Sequence, residues 1–374
     1  MSLTTSTRKN PAAAWRHLDL SLAATAVITS IFGCVMVYSA THRKLAEAGL
    51  GATYDLKRQA AFVVLGIGLM VLVASIDYRI FRDYTVVIYP VMVFVLLVVL
   101  TPLGSRSRGQ QGWFQISSFQ LQPSEFAKLA LIVCLAAYCA NQRGELDWGA
   151  LVRVIGFAAV PMALIYKQPD LGTTLVFVAI LLGMLLVAGA RPRHLAVLAA
   201  LGVFGVVAVL QLGVLKHYQL DRLGAFLDNT NRSAYNLNQS KIAIGSGGVL
   251  GKGLFKGSQT NLSYVPEQNT DFIFTVVGEE LGLVGSALLL ALFAILVWRT
   301  WRTASLAKDL SGTLICVGIL SMFVFQIFEN VGMTMGIMPI TGIPLPFMSY
   351  GGSSTLVSFA AVGLVMNVHM RRFS

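Results

Sequence analysis

Long apolar runs alternate with short polar segments along nearly the whole chain. A helix of about 20 apolar residues crosses the hydrocarbon core of a bilayer. The sequence predicts ten such spans, and only a short polar turn at 167–170 separates the fifth from the sixth. The predicted spans are residues 18–39, 59–76, 84–100, 124–140, 151–166, 171–190, 195–215, 272–298, 311–336 and 351–370. This pattern is typical of an all-α polytopic membrane protein, here a single ten-helix domain over residues 18–374.

The positions of lysine and arginine predict the orientation. With the N-terminus inside, the short cytoplasmic segments carry about twice as many basic residues as the short outer loops, as the positive-inside rule favours. Both termini are therefore predicted to be cytoplasmic, and residues 1–17 form an N-terminal tail. Residues 216–271 become one long extracytoplasmic loop between helices 7 and 8.

The composition agrees with a membrane protein and excludes several other classes. The chain is 56% hydrophobic and 12% charged, whereas a soluble domain is about 25% charged. Its net charge is +11, yet no basic run with interleaved aromatic residues occurs, so no nucleic-acid partner is predicted. The four cysteines all fall in apolar spans, and their spacing indicates neither a disulfide nor a metal site.

Asp271 carries the strongest functional signal in the chain. It closes the only long polar segment and directly precedes an apolar run, at the point where the chain re-enters the bilayer. A carboxylate at this depth is costly unless it has a partner or a function. Its position predicts chemistry at the outer membrane surface on a substrate that lies in the membrane.

Two further pairs of charged residues lie at predicted outer boundaries. Glu125 and Lys128 are three residues apart on one helix face and can pair. The pair either joins two helices or lines a polar cavity that opens outward. Lys167 and Asp170 flank the turn between the fifth and sixth spans and are predicted to contribute to the same cavity.

Two outer segments supply other candidate residues. Trp113, in the loop 101–123, is predicted to lie at the headgroup level, either as an anchor or beside substrate. Lys241 shares an apolar helical stripe, which predicts a helix lying along the interface. The following run at 245–253 is not a phosphate-binding P-loop, because Gly253 follows Lys252 where serine or threonine is required. We predict a flexible turn there.

Five motifs together resemble the SEDS family of polytopic bacterial proteins (RodA, FtsW and SpoVE). They are QPSEFAKLALI at 122–132, KQPDLGTTLVF at 167–177, QSKIAIGSGGVLGKG at 239–253, VPEQNTDFIF at 265–274 and TGIPLPFMSYGGSS at 341–354. The resemblance implies a peptidoglycan glycosyltransferase of the cytoplasmic membrane that polymerises a lipid-linked disaccharide, lipid II, into glycan strands. It also implies a class B penicillin-binding protein as partner. The family's essential aspartate maps to Asp271, its buried acid and lysine map to Glu125 and Lys128, and a RodA-like role in cell shape is favoured.

The predicted mechanism makes Asp271 the general base on an acceptor sugar hydroxyl. Lys128, Lys241 or a divalent cation, Mg²⁺ or Mn²⁺, would offset the charge of the departing diphosphate. Two alternatives remain open at this point. The protein could be a flippase for the lipid-linked precursor, or a non-catalytic scaffold that recruits a penicillin-binding protein.

Overall fold

The computed structural model describes residues 17–107, 110–116, 119–142, 146–211 and 232–372. These residues are mostly helical and form a bundle with one small sheet. The helices are α1 Leu20–Glu47, α2 Tyr54–Ser75, α3 Tyr78–Asp83, α4 Thr85–Val99, α5 Pro123–Asn141, α6 Trp148–Lys167, α7 Leu171–Val187, α8 Pro192–Gln211, α9 Arg232–Gly247, α10 Ser258–Asn261, α11 Ile273–Ser305, α12 Leu310–Met335 and α13 Gly352–Met370. The strands are β1 Ser105–Ser107, β2 Gln110–Ile116 and β3 Phe119–Leu121.

Each of the ten predicted spans coincides with one of these helices. Within the described part of the chain, seven helices are long and apolar enough to cross a membrane, and α4 and α7 are shorter apolar helices. The structure is thus that of a multi-pass helical membrane protein, and the crossing of all ten helices stays a prediction. Part of the predicted long loop, residues 216–231, lies outside the described residues.

Local capping signals fix where several helices begin and end. Asp19, Asp147 and Asp309 each accept a hydrogen bond from a backbone N–H in the first turn of the helix that follows. Such caps satisfy N–H groups that have no partner inside the helix. The helix α12 ends at Gly336, whose φ of 76° is the left-handed conformation that glycine adopts without strain.

The connections sort to two ends of the bundle, as expected for antiparallel spans. At one end, here called the basic end, Arg299 pairs with Asp19 at 2.6 Å and the Tyr78 hydroxyl donates to Asp309 at 3.0 Å. The opposite end, here called the site end, gathers the segments 101–107, 110–116, 119–122, 168–170, 262–272 and 336–351. There the Tyr350 N–H donates to the Asn269 carbonyl at 2.8 Å.

A three-stranded antiparallel sheet, in the order β1-β2-β3, stands in the predicted surface loop at 101–123. It is a departure from an all-α fold that the sequence did not predict. Trp113 in β2 pairs with Ser105 in β1, and Phe114 pairs with Leu121 in β3. The ladders satisfy backbone groups that would otherwise be left without partners close to the membrane.

The glycine-rich run at 245–253 is packed against a break in α11, so the predicted flexible turn is wrong. At Gly282 the backbone leaves the helical conformation, with φ 63° and ψ −156°. The exposed peptide groups pair with the run: the Leu283 N–H donates to the Gly248 carbonyl at 3.0 Å, and the Lys252 N–H donates to the Glu279 carbonyl at 3.0 Å. Irregular backbone at membrane depth is tolerated where it is paired in this way.

The described part of the predicted loop 216–271 does not project from the bundle, because residues 232–261 pack along α11 and α1. Gly282 is nine residues beyond the start of α11, or about 14 Å along its axis at 1.5 Å per residue. The helix α9 packs against α11 and α12 and leads into this depth. Val249 and Leu250 at the tip are exposed, as suits contact with lipid. We call residues 232–261 the inserted segment.

Candidate active site

Asp271 lies in a turn at the site end, two residues before α11 begins, and its side chain is half-buried. The carbonyl of Glu267 accepts the N–H groups of Thr270 and Asp271, at 3.2 and 3.1 Å. The turn is therefore closed on itself before the helix starts. The prediction that Asp271 stands where the chain enters the bundle agrees with this placement.

The next helix supplies a second carboxylate beside Asp271. Glu329 in α12 is 1% exposed, and it is near enough to Asp271 for the two charges to interact. One oxygen of Glu329 accepts the hydroxyl of Thr341. Its other oxygen is buried and has no hydrogen-bond donor within the described residues. A buried oxygen of this kind is an available acceptor for a proton, a hydroxyl or a cation.

The segment 336–351 connects this pair to the third acid of the site. At the start of α7, a Cβ placed on Gly172 would lie 2.9 Å from the Thr341 carbonyl, so the two backbones touch. Next to Gly172, Asp170 accepts hydrogen bonds from the N–H and hydroxyl of Thr173, at 2.9 and 2.8 Å. Burial raises the pKa of Asp170 above its usual value, although the hydrogen bonds from Thr173 oppose this.

Glu125 and Lys128 form the predicted ion pair and are fully enclosed. Their N···O distance is 2.8 Å, and their side chains are 3% and 1% exposed. Both charges act on Asp170, and Gln122, just before α5, donates to Asp170 at 3.2 Å. The structure therefore brings Glu125, Lys128 and Asp170 together in one buried cluster.

Three other predicted residues lie elsewhere. Lys167 is exposed at the end of α6, so it does not join Asp170 in the buried cluster, and its contribution to an outward-opening cavity stays a prediction. The side chain of Lys241 lies over Gly336, at the C-terminus of α12, where a cation is stabilised by the helix dipole. Trp113 is half-buried in β2, and its neighbour Gly112 faces the side chain of Gln168, beside the Asp170 turn.

Sequence reasoning did not identify the residues that support Asp271. Asn330 is fully buried in α12, and its side-chain nitrogen donates to the carbonyl of Asp271 at 2.8 Å. Ser349 donates to the carbonyl of Thr270 at 2.6 Å. The only sequence signal for Asn330 is a polar residue that interrupts an apolar span, which predicts a buried partner but not which one.

An apolar groove of about 350 Å³ lies between α4 and α5, beside the buried cluster. Its lining includes Phe126 and Ala127, which are neighbours in sequence of Glu125 and Lys128. A groove of this character accommodates a hydrocarbon chain. The site end thus combines acids, a buried lysine and an apolar groove.

Fold and site together define a class: a polytopic membrane protein whose reactive polar groups lie at one end of a helical bundle. The family model FTSW_RODA_SPOVE, described as cell cycle protein, matches residues 19–373, and the chain belongs to this family. A relative from Geobacter metallireducens named probable peptidoglycan glycosyltransferase FtsW is 37% identical, over 94% of this chain and 95% of its own length.

Two solved structures share the fold. One belongs to a peptidoglycan synthase complex, in a description that reads "Structural coordination of polymerization and crosslinking by a peptidoglycan synthase complex". It has a TM-score of 0.80 and 30% identity, and the match covers 96% of this chain and 99% of that chain. The rod shape determining protein RodA of Thermus thermophilus has a TM-score of 0.72 and 28% identity, with the same coverage. FtsW and RodA both stand among the relatives, so the predicted preference for a RodA-like member stays a prediction.

Proposed function

We propose that this chain is a peptidoglycan glycosyltransferase that polymerises lipid II into glycan strands, with Asp271 as the general base. The observation that carries the proposal is the position of Asp271, half-buried in a closed turn at the end of the bundle that also holds Glu329, Asp170, Glu125 and Lys128. The name of the Geobacter relative and the synthase complex with the same fold support the reaction class.

In the proposed reaction, the 4-hydroxyl oxygen of the acceptor sugar forms a bond to the anomeric carbon of the donor. The bond between that carbon and the diphosphate oxygen breaks, and polyprenyl diphosphate leaves with the bonding electron pair. Asp271 accepts the hydroxyl proton as the new bond forms, since a neutral hydroxyl is a weak nucleophile. We assign to Lys128, the basic residue of the buried cluster, the role of favouring the anionic leaving group through its charge.

The charge balance supports a divalent cation, Mg²⁺ or Mn²⁺, during turnover. Glu125 and Asp170 lie around Lys128 in the buried cluster, and a departing diphosphate would add negative charge beside them. No three metal-ligating side chains converge in the part of the chain that the structure describes. Substrate oxygens would supply most ligands, as Mg²⁺ prefers, and Asp271 and the available oxygen of Glu329 suit the rest. The bound ion would neutralise the diphosphate.

The proposal also includes the position of the protein in the membrane. We place the site end at the outer face of the bacterial cytoplasmic membrane, on the strength of the basic residues in the short loops of the opposite end. The groove beside Phe126 lets the prenyl chain stay in the bilayer while its headgroup reaches the cluster. A class B penicillin-binding protein is the proposed partner, because the synthase complex with this fold couples polymerization to crosslinking.

Reconstitution in vesicles with labelled lipid II tests the proposal against the flippase and scaffold alternatives. We expect new glycan polymer from the purified protein, with or without its partner. Asp271→Asn is nearly isosteric but cannot take the proton, and we expect it to abolish polymer while the protein still folds. Movement of lipid II across the bilayer without polymer would favour the flippase. A fully active Asp271→Asn would contradict the base assignment.

A further inference from the structure

Three successive carbonyls around Asp271 are held by groups from two other parts of the chain, α12 and the segment 336–351. The carbonyl of Asn269 accepts the N–H of Tyr350 at 2.8 Å. The carbonyl of Thr270 accepts the hydroxyl of Ser349 at 2.6 Å, and the carbonyl of Asp271 accepts Nδ2 of Asn330 at 2.8 Å. Two of these three donors are side chains and can therefore be removed by substitution.

Such contacts matter because no helix fixes this part of the backbone. The first residue of α11 is Ile273, so the carbonyls of 269–271 precede the helical ladder. Backbone groups outside a helix need partners from elsewhere to hold one conformation. The backbone hydrogen bonds to the Glu267 carbonyl are local to the turn, and Gln268 joins the turn to Thr260 of the inserted segment at 3.0 Å. The donors to these three carbonyls attach the turn to the bundle as well.

Asn330 does more than contact one carbonyl. Its Nδ2 donates a second hydrogen bond, also of 2.8 Å, to the carbonyl of Ile343. One buried amide therefore joins the Asp271 turn to the segment that carries Thr341, the hydrogen-bond partner of Glu329. The Asn330 side chain thus fixes the position of the Asp271 turn relative to Thr341, the residue that hydrogen-bonds Glu329.

Ser349 is anchored in turn from the opposite side. Its hydroxyl accepts the N–H of Leu345 at 2.8 Å, which orients it toward Thr270. The carbonyl of Ser349 accepts Nε2 of Gln59, a fully buried residue in α2, at 3.3 Å. The position of the Asp271 turn is therefore set by α2 and α12 together.

We propose that Asn330 and Ser349 are positioning residues that hold the Asp271 backbone so that its carboxylate reaches the acceptor hydroxyl. The inference rests on the proposed function, in which Asp271 is the general base. Neither residue needs to touch substrate. A displacement of a catalytic group by about 1 Å can lower a rate by about 100-fold, so the loss of either anchor should slow the chemical step.

The test compares Asn330→Leu and Ser349→Ala with the unaltered protein in purified, reconstituted form. The initial rate of lipid II polymerisation is measured over a range of substrate concentrations, and the unfolding midpoint is measured on the same samples. We expect kcat to fall by roughly 10- to 100-fold with KM unchanged. Ser349→Thr keeps the hydroxyl and should restore kcat.

Asn367 provides a matched control at the basic end. It is also fully buried, and its side-chain nitrogen donates to the carbonyls of Val73, at 2.7 Å, and Ile76. Asn367→Leu removes the same kind of contact far from Asp271. The oxygen of Asn367 also accepts hydrogen bonds from the Tyr78 N–H and from Arg371, so we expect Asn367→Leu to lower the unfolding midpoint at least as much as Asn330→Leu does, and to leave kcat unchanged.

The outcomes separate the positioning role from the base role. If Asp271→Asn is inactive but Asn330→Leu and Ser349→Ala keep the original kcat, the positioning proposal is overturned and the base assignment stands. If kcat falls equally in Asn330→Leu and Asn367→Leu, the contacts are only structural and the proposal is again overturned. If Asp271→Asn is fully active, both assignments are overturned. Should Asn330→Leu fail to fold, the contrast between Ser349→Ala and Ser349→Thr decides.

Discussion

Removal of one member of the buried pair Glu125–Lys128 should destabilise the protein strongly. The ions are 2.8 Å apart and their side chains are 3% and 1% exposed, so solvent cannot screen a charge left alone. Lys128→Met keeps the length and apolar character of the side chain but leaves Glu125 without its partner. Breaking a buried pair from one side costs about 3–5 kcal/mol. Asp170 also loses a favourable charge, which places the expected cost in the upper part of that range.

The double variant Glu125→Gln with Lys128→Met removes both charges and should recover most of this loss. Replacement of a whole buried pair by neutral residues is often close to neutral. We therefore expect the double variant to be about 2–3 kcal/mol more stable than Lys128→Met alone. The assay is the free energy of unfolding in mixed detergent micelles, measured for both singles and the double. A cost below about 1 kcal/mol for Lys128→Met, as for an exposed pair, would refute the reasoning.

The same variants distinguish the two roles that the sequence leaves open for the pair. If the pair only joins helices, the double variant should polymerise lipid II at the original rate once its stability returns. If Lys128 acts on the leaving diphosphate, the double variant should be stable and still slow. Activity and stability are therefore measured on the same preparation.

Three further perturbations test the rest of the structure. Gly282→Ala should lower the free energy of unfolding by about 1–3 kcal/mol, because φ is 63° there and a Cβ would collide with the Gly251 backbone. An unchanged thermal unfolding midpoint would contradict the close packing of the inserted segment against α11. Glu279→Ala should release the inserted segment, because the Glu279 carboxylate accepts a hydrogen bond from Lys252 Nζ at 2.9 Å. We expect faster amide hydrogen exchange in residues 252–261, and unchanged exchange there would contradict this role of Glu279. Burial acts to raise the pKa of Asp19, but hydrogen bonds led by that from Arg299 hold it below its usual value. A lowered folded pKa gives stability that is present above the unfolded pKa, about 3.9, and is lost as pH falls through the folded pKa. Asp19→Asn should remove this part of the acid sensitivity of the unfolding midpoint, and an unaltered pH profile would contradict it.

The spans were predictable because the signals for them are local. The ninth span was predicted at 311–336 and the helix runs from Leu310 to Met335, since Asp309 caps its start and Gly336 ends it. The eighth was predicted to stop at 298, yet α11 continues to Ser305. Bilayer thickness sets a minimum length for a helix and not a maximum, and Arg299, Arg302 and Ala304 beyond the apolar run are good helix formers.

The inserted segment and the individual contacts that support Asp271 were not predictable because their partners are remote in sequence, although the neutral, proline-rich run at 338–354 does predict a segment that packs beside Asp271. The glycine at 251 is needed because the backbone of Glu280 passes against it, and nothing near 251 announces that neighbour. Likewise Asn330 reads as a polar interruption of an apolar span, while its partners Asp271 and Ile343 are known only once α12 is packed. Periodicity identifies helices, and only tertiary packing shows which helix breaks and what fills the break.

The state of the polar groups at different depths favours chemistry at one face over transport across the membrane. A flippase needs polar groups along the path that can exchange partners as the protein alternates. Glu279, about six residues into α11, is instead saturated: its two oxygens accept from Lys252, Ser258, Gln259 and Thr260, and its side chain is fully buried. At the site end, by contrast, Glu329 keeps a buried oxygen without a donor among the described residues. Glu280, the neighbour of Glu279, also keeps one buried oxygen without a donor among these residues, so it is Glu279 that opposes a transport path, because its saturated carboxylate holds the inserted segment in place.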